Sequence, residues 1–387
     1  MERLGPARSL VTHHVKILIA NIGSTSFKYR LFDMTTETAL AKGGFERVTD
    51  YGDAIEKSLA EMKASGALTR LEDLAAVGFK TVLAKDVLGC AELTEDVLKA
   101  MEEMNEVAPS HNPPYIAGIR KFREKLPRTP LVGLFETAWW VGGPEAAKRY
   151  AVPQQWTDWG VRRYGFHGAS HRYIAERVAT LLGGSNLRVI SCHLGGSNSV
   201  GAALGSRGMG SSMGMSPQSG LPHNNRVGEL DSFAIPFLMK THGLTVDQIV
   251  RSMNKEGGLL GISGVSNDLR EVVTAADQGN ARAKLALEVF AYEIRHWIGA
   301  FLVQLNGADA IVFTAGIGEN QTRLREMVCA NLDWFGIRLD PAKNAAYQRG
   351  QETVISAAES RAKIMVVPTN EEIVVAREVK KLLENRK

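Results

Sequence analysis

Two stretches of this chain, "ILIANIGSTSFKYRLF" (17–32) and "VISCHLGGSNSVGAAL" (189–204), can be laid over each other without a gap. Each is an apolar strand ending on a polar residue (Asn21, His193), then a glycine (Gly23, Gly195), small residues and a second strand. A single strand–glycine turn–strand unit is a common hairpin and says little. Two of them, near the start of two halves of a 387-residue chain, point to a duplicated domain with a cleft between the copies. The small-residue turns would then face each other across a ligand. A chain this long also exceeds one ordinary core, so two domains are expected.

Strands and helices interleave along the chain, which predicts an α/β fold. Strand patterns fall at 15–21, 27–33, 74–78, 130–135, 187–193, 198–204, 309–313 and 364–367. Helical periodicity falls at 54–64, 95–107, 170–182, 232–241, 281–305 and 371–385. A net charge of +4 without a Lys/Arg run argues against a nucleic-acid partner. No run approaches the ~20 apolar residues of a membrane span. Cys90, Cys192 and Cys329 are too few and too scattered for a disulfide framework or a zinc site, which fits a cytoplasmic protein. The leader "MERLGPARSLVTHH" has no apolar core and is expected to be a short extension rather than a secretory signal.

Read one at a time, the polar segments stay ambiguous. Asn21, Ser24, Thr25 and Ser26, with the N–H groups around Gly23 and with Lys28 close by, can cradle an anion or simply close a hairpin. "HLGGSNSVG" (193–201) offers Gly195 and Gly196 for close approach, Ser197 and Asn198 as donors, and His193 toward a phosphate; it is equally a hairpin with a strand-end histidine. "FTAGIGENQ" (313–321) follows an apolar strand and opens a helix, a place for a nucleotide or a plain connection, and it lacks the G-x-G-x-x-G dinucleotide spacing. Gly205 to Gly228 holds six glycines and two prolines in 24 residues, the mark of a functional or mobile loop, and carries Arg226. His167 in "RRYGFHGASH" precedes a helix that Ser170 can cap, and His111 precedes two prolines; neither has metal-ligand spacing. Asn370 and Glu371 in "VPTNEE" enter the last helix, where an acid suits the helix dipole or a Mg²⁺ ion.

Together, "NIGSTSFKYRLFD", "HNPP", "FETA", "RYGFHGASH", "HLGGSNSV", "SGVSNDLR", "FTAGIGEN" and "TNEE", in this order along nearly the whole chain, resemble the acetate kinase (acetokinase) family. The resemblance implies a duplicated two-domain ASKHA fold, the architecture of actin, heat-shock chaperones and sugar kinases, with an interdomain cleft. It implies an N-terminal domain of 1–136 plus 371–387 and a nucleotide-binding domain of 137–370. The implied reaction is reversible transfer of the ATP γ-phosphoryl to acetate or another short-chain carboxylate, with Mg²⁺ or Mn²⁺, giving an acyl phosphate and ADP. A homodimer is implied as well.

Residue by residue, the resemblance implies Asn21 and Glu371 on the metal and Lys28 on the phosphates. His193, Leu194, Gly195, Gly196 and Ser197 would form the phosphate hairpin. Asp268, Leu269 and Arg270, with Gly316, Ile317, Gly318, Glu319 and Asn320, would hold the nucleoside. His167 and Arg226 would stabilise the transition state with Glu136, and Lys80, Val82, His111, Phe166 and Pro217 would bind the acid. Four positions depart from the family pattern: Lys80 replaces an Arg, Glu136 an Asp, Gly196 an Asn, and Ser110 an apolar residue. Lys keeps the charge but loses the two-pronged fork. These changes point to a shifted acid preference (propionate, butyrate or a hydroxy acid), and they also suit a nucleotide-binding sensor with little turnover.

Overall fold

The computed structural model describes residues 15–23 and 25–386. The leader, Ser24 of the opening turn and Lys387 lie outside the described residues. One six-stranded sheet contains β1 (Lys16–Ile22), β2 (Ser26–Asp33), β3 (Thr38–Glu46), β4 (Leu74–Thr81), β5 (Cys90–Glu92) and β6 (Leu131–Phe135), in the order β3-β2-β1-β4-β6-β5. A second contains β7 (Arg188–Leu194), β8 (Asn198–Leu204), β9 (Arg207–Ser211), β10 (Ala310–Thr314), β11 (Thr353–Val354) and β12 (Lys363–Val366). Its order, β9-β8-β7-β10-β12-β11, is the first order shifted by six strands. The strand directions repeat too: an antiparallel meander, two parallel additions and an antiparallel edge. The duplication read from the hairpins is a duplication of whole sheets.

The gapless overlay holds only as far as the turn. Ile22 pairs with Phe27, leaving four residues between them, whereas Leu194 pairs with Asn198, leaving three. In the structure the partner of Asn21 is Lys28 and the partner of His193 is Ser199. Lys28 and Ser199 are therefore the equivalent positions, one residue off the sequence alignment.

Both faces of each sheet are covered. Helix Glu371–Glu384 returns from the end of the chain and lays Ile373, Val375 and Val379 on Ile17, Ile19, Ala76 and Val132 of the first sheet. Gly78 of β4 allows the approach, because a Cβ there would stand 2.7 Å from Ile19 Cδ1 and 3.0 Å from Val379 Cγ2. Ile55, Ile119 and Phe122 from the helices Tyr51–Ala64 and Asn112–Lys125 fill the other face. The second sheet packs between helix Gly168–Leu182, through Ile174 and Val178, and the long helix Ala281–Gln304, through Phe290, Ile294 and Phe301. Each such buried side chain stabilises the fold by roughly 1.5–3 kcal/mol.

Several local expectations need correction. The helix expected at 95–107 stops at Glu102. The prolines after His111 open a helix, since Pro in the first turn has no N–H to lose there. The strands expected at 309–313 and 364–367 each lie one residue away, at Ala310–Thr314 and Lys363–Val366. The glycine-rich stretch read as a loop begins as β9. Ser170 does not cap its helix: the N-cap is His167, with left-handed φ 53°, and Ser170 Oγ instead donates to Thr369 Oγ1 at 2.9 Å. Among the described residues no helix is long and apolar enough to cross a membrane.

Candidate active site

The parallel pairing of β4 with β6 sets Thr81 beside Phe135, and so delivers Lys80 and Glu136 to the same end of the first sheet. They line a cavity of about 340 Å³ with Asn21, Gly23, Ser26, Lys28, Val82, His111, Phe166, His167, Ser197 and Pro217, all candidates from the sequence, and with Ile22 and Tyr115, which were not. Gly168 makes the closure possible. Its N–H donates to Glu136 O at 3.0 Å, and a Cβ there would stand 2.3 Å from that oxygen. Glu136 and His167 are thereby held on opposite strokes of one tight contact. The left-handed backbone of His167, about 1–2 kcal/mol of strain for an L-residue, persists at this point.

The floor is an ion triad. Lys80 Nζ lies 2.5 Å from Glu371 Oε2 and 3.1 Å from Glu136 Oε1. Burial works against the Lys80 charge, but the two carboxylates hold its pKa well above the usual lysine value. Burial pushes Glu136 above the usual carboxylate range, with Lys80 opposing. Burial pushes Glu371 the same way, yet Lys80 and His193 outweigh it and keep Glu371 below that range. Burial, then Arg226 and Lys80, lowers His111 to about 4, and burial raises Tyr115 to about 12. Asn21 Oδ1, Glu136 Oε2 and Glu371 Oε1 are buried without a hydrogen-bond partner among the described residues. Three orphaned oxygens suit a hard cation, and such an ion keeps waters or ligand oxygens for the rest of its shell. Among the described residues no cluster of three or more His, Cys, Asp or Glu forms a self-sufficient metal cage.

Beside the triad stands a pair of neutral rings, with His193 Nδ1 3.8 Å from Glu371 Oε1. The His167 and His193 rings stack at 4.2 Å. Burial brings His193 to about 4 despite Glu371, and holds His167 well below the usual imidazole value, with His193 and Lys80 adding to it. His193 Nδ1 lies 2.8 Å from Ser170 Oγ. Arg226 is buried behind Pro217, whose carbonyl accepts from Nη1 at 2.8 Å, and burial lowers Arg226 to about 10. Ser110, expected to change a pocket wall, is exposed and stands outside the lining.

A second cavity, about 550 Å³, is lined by Gly195, Gly196, Asp268, Leu269, Arg270, Gly316, Ile317 and Asn320, as expected, and by Asn224, Asn267, Gln321 and Arg349, which the sequence reading missed. Leu194 is fully buried in β7. Gly318 and Glu319 present their carbonyls to Arg325 Nη1 at 2.9 and 2.7 Å instead of lining the space. The hairpin turn is pinned from the glycine-rich loop: Gly195 N donates to Asn198 Oδ1 at 2.9 Å, and Asn198 N donates to His223 Nδ1 at 2.9 Å. In the first turn the Gly23 N–H is likewise spent, on Ser26 O at 2.8 Å, so neither glycine N–H is free for an anion. Lys28 is 64% exposed and pairs with Glu46 at 3.3 Å.

A model of the Acetokinase family matches residues 44–377. The acetate kinase of Bacillus subtilis is 40% identical over 393 aligned residues, spanning 95% of this chain and 99% of its own. The crystal structure of an acetate kinase from Porphyromonas gingivalis superimposes with a TM-score of 0.85 at 36% identity, covering 95% of this chain and 100% of that one. A propionate kinase from Francisella tularensis does so at 0.84 and 31% identity, covering 94% and 98%. With its duplicated sheets, its two adjoining cavities and these full-length matches, the chain belongs to the acetokinase family.

Proposed function

We propose that this protein is a carboxylate kinase that moves the γ-phosphoryl group of ATP to acetate or a related short-chain acid, reversibly, giving an acyl phosphate and ADP. The observation that carries the reading is the shared turn: Gly195 and Gly196 line the larger cavity while Ser197, the next residue, lines the smaller one. A nucleotide seated in the first would extend its phosphates along this turn toward an acid in the second. The acid is itself the nucleophile, so the site needs positioning and charge neutralisation more than a general base.

In this reading Asn21 and Glu371 hold Mg²⁺ or Mn²⁺, supported by their orphaned oxygens. The ion would neutralise phosphate charge. Lys28 serves the phosphates. Gly195 to Ser197, Asp268 to Arg270, and Gly316, Ile317 and Asn320 cradle the nucleotide. His167, Arg226 and Glu136 act at the transferred group, and Lys80, Val82, His111, Phe166 and Pro217 hold the acid. The division into 1–136 with 371–387, and 137–370, agrees with the packing of the last helix on the first sheet. A cytoplasmic homodimer completes the proposal.

Hydroxylamine trapping of acyl phosphate with Mg·ATP, run across formate, acetate, propionate, butyrate and hydroxy acids, tests it. Product from at least one acid is expected, and silence on all of them overturns it. One observation favours a second reading, nucleotide binding with little turnover: the Lys80 ammonium is already committed to Glu136 and Glu371. Mg·ATP binding without acid-dependent ADP release would select that reading.

A further inference from the structure

His167 is the visible end of a longer row. Its Nδ1 lies 2.8 Å from Ser199 Oγ, the same hydroxyl lies 2.7 Å from His171 Nε2, and His171 Nδ1 lies 2.6 Å from Ser191 Oγ. His171 and Ser199 are fully buried and Ser191 nearly so, and none of the three lines the cavity. His167 does line it, and with Nδ1 committed to Ser199 its remaining nitrogen is Nε2.

Hydrogen counting restricts this row severely. Burial keeps both imidazoles neutral, so each carries one N–H, and each hydroxyl carries one proton. Every contact then needs one donor and one acceptor; if Ser199 accepted from both rings, its own buried hydroxyl proton would meet no acceptor among the described residues, so all point the same way. In one direction Ser191 donates to His171 Nδ1, His171 Nε2–H donates to Ser199, and Ser199 donates to His167 Nδ1. His167 then carries its proton on Nε2. In the other direction each donor reverses and Nε2 is a bare acceptor. A phosphoryl group offers acceptor oxygens only, so it accepts a hydrogen bond from the first arrangement and is repelled by the lone pair of the second. The neighbouring His193 ring, stacked at 4.2 Å, also disfavours the alternative of a charged His167.

We propose that Ser199, His171 and Ser191 are positioning residues that hold His167 in the Nε2–H tautomer, so that an uncharged imidazole donates to the transferred phosphoryl group. The phosphoryl part of the proposal rests on the carboxylate-kinase reading; the tautomer part stands on the geometry. No proton is transferred during the reaction. The row fixes where hydrogens sit before substrate arrives, which places a donor where charge must be stabilised.

Histidine-labelled protein, with resonances assigned through His167→Gln and His171→Gln, reports both tautomers from two-bond proton–nitrogen correlations. Nε2–H at both rings is expected, and Nδ1–H at either ring overturns the proposal. Ser191→Ala should shift the His167 resonances although Ser191 does not touch His167; an unchanged His167 spectrum overturns the coupling. In turnover assays Ser199→Ala should lower kcat about ten-fold with the KM for ATP within about two-fold, and Ser199→Thr should restore most of it. A loss confined to KM, or an equal loss in Ser199→Thr with the fold intact, overturns a role for the hydroxyl. If the unmodified protein makes no acyl phosphate from any acid, the kinase reading fails, while the correlation spectra still decide the tautomers.

Discussion

The turns after β1 and β7 occupy the same place in two sheets of one topology, yet they carry opposite chemistry. Across the first hairpin Asn21 pairs with Lys28, a cation 64% exposed and ion-paired to Glu46. Across the second His193 pairs with Ser199, fully buried between two imidazoles. The difference extends beyond the turns. The first sheet and its returning helix supply the Lys80–Glu136–Glu371 triad, whereas the second sheet and the helix Gly168–Leu182 with its N-cap supply neutral rings and hydroxyls. A buried ion depends on its partner and a buried neutral ring depends on staying uncharged. The two walls should therefore break under different insults.

Acid should break the neutral wall with the largest effect. His111, His167, His171, His193 and His223 all titrate below the ordinary 6.5, with His111 and His193 at about 4. From pH 6.5 downward the unfolded chain takes up protons on these rings while the folded chain does not. The unfolded state then binds more protons, so stability falls as pH falls, by up to about 1.4 kcal/mol per pH unit for each ring. Melting temperatures should drop steeply between pH 6.5 and about 4, and His193→Gln should flatten the slope by one ring's share. A level profile through that window would show that these rings charge freely in the folded protein.

Removing one ion should break the charged wall. Lys80→Met leaves Glu136 and Glu371 buried without a cation, an arrangement that costs about 3–5 kcal/mol. Guanidinium unfolding at neutral pH measures it. A loss below about 1 kcal/mol would mean that water reaches the triad and screens it.

The unequal legibility of the two walls follows the same division. Charged and glycine-bearing segments stood out by composition but stayed ambiguous singly, and it was their ordered resemblance to the acetokinase family that located most of both cavity linings. The join between Lys80 and Glu136 was not readable, because only the parallel β4–β6 pairing brings them together. His171 stood inside "RYGFHGASH" without a role of its own, and Ser191 carried no signal. A histidine one helical turn after His167 looks like any residue on a buried helix face, and a serine inside a strand looks like filler. Arg325 was missed for a related reason: on a short helix it reads as solvated, yet it is fully buried, donating to Gly318 O, Glu319 O and Asn344 Oδ1. The one-residue difference in turn length was also hidden, since both turns are small and polar and only the strand register separates them.

A gentler change sharpens the charged wall. The family resemblance pairs an Arg with a shorter Asp where this chain pairs Lys80 with the longer Glu136, so the two departures read as one compensated exchange. Lys80→Arg alone forces a wider head group against Glu136, and Glu136→Asp alone opens a gap. Each should lower kcat/KM by about ten-fold, and the double exchange should recover most of it, a coupling of about 2–3 kcal/mol. Additive losses would mean that the two positions act on the acid independently.

The smallest effect is expected in the second turn, and it tests whether that turn divides its labour between the cavities. A Cβ built on Gly196 meets nothing nearer than Asn224 Nδ2 at 3.9 Å, and Gly196 is absent from the residues with left-handed φ. An asparagine there is sterically admissible, and the loss of glycine's freedom in the unfolded chain should leave stability unchanged or raise it by up to about 1 kcal/mol. Its side chain would enter the larger cavity, which Gly196 lines and Ser197 does not. Gly196→Asn should therefore change the KM for ATP by a few-fold, on the order of one hydrogen bond, and leave the KM for the acid alone. A change in the acid KM with ATP unaffected would place this backbone against the smaller cavity, and the turn would no longer be the wall that two ligands share.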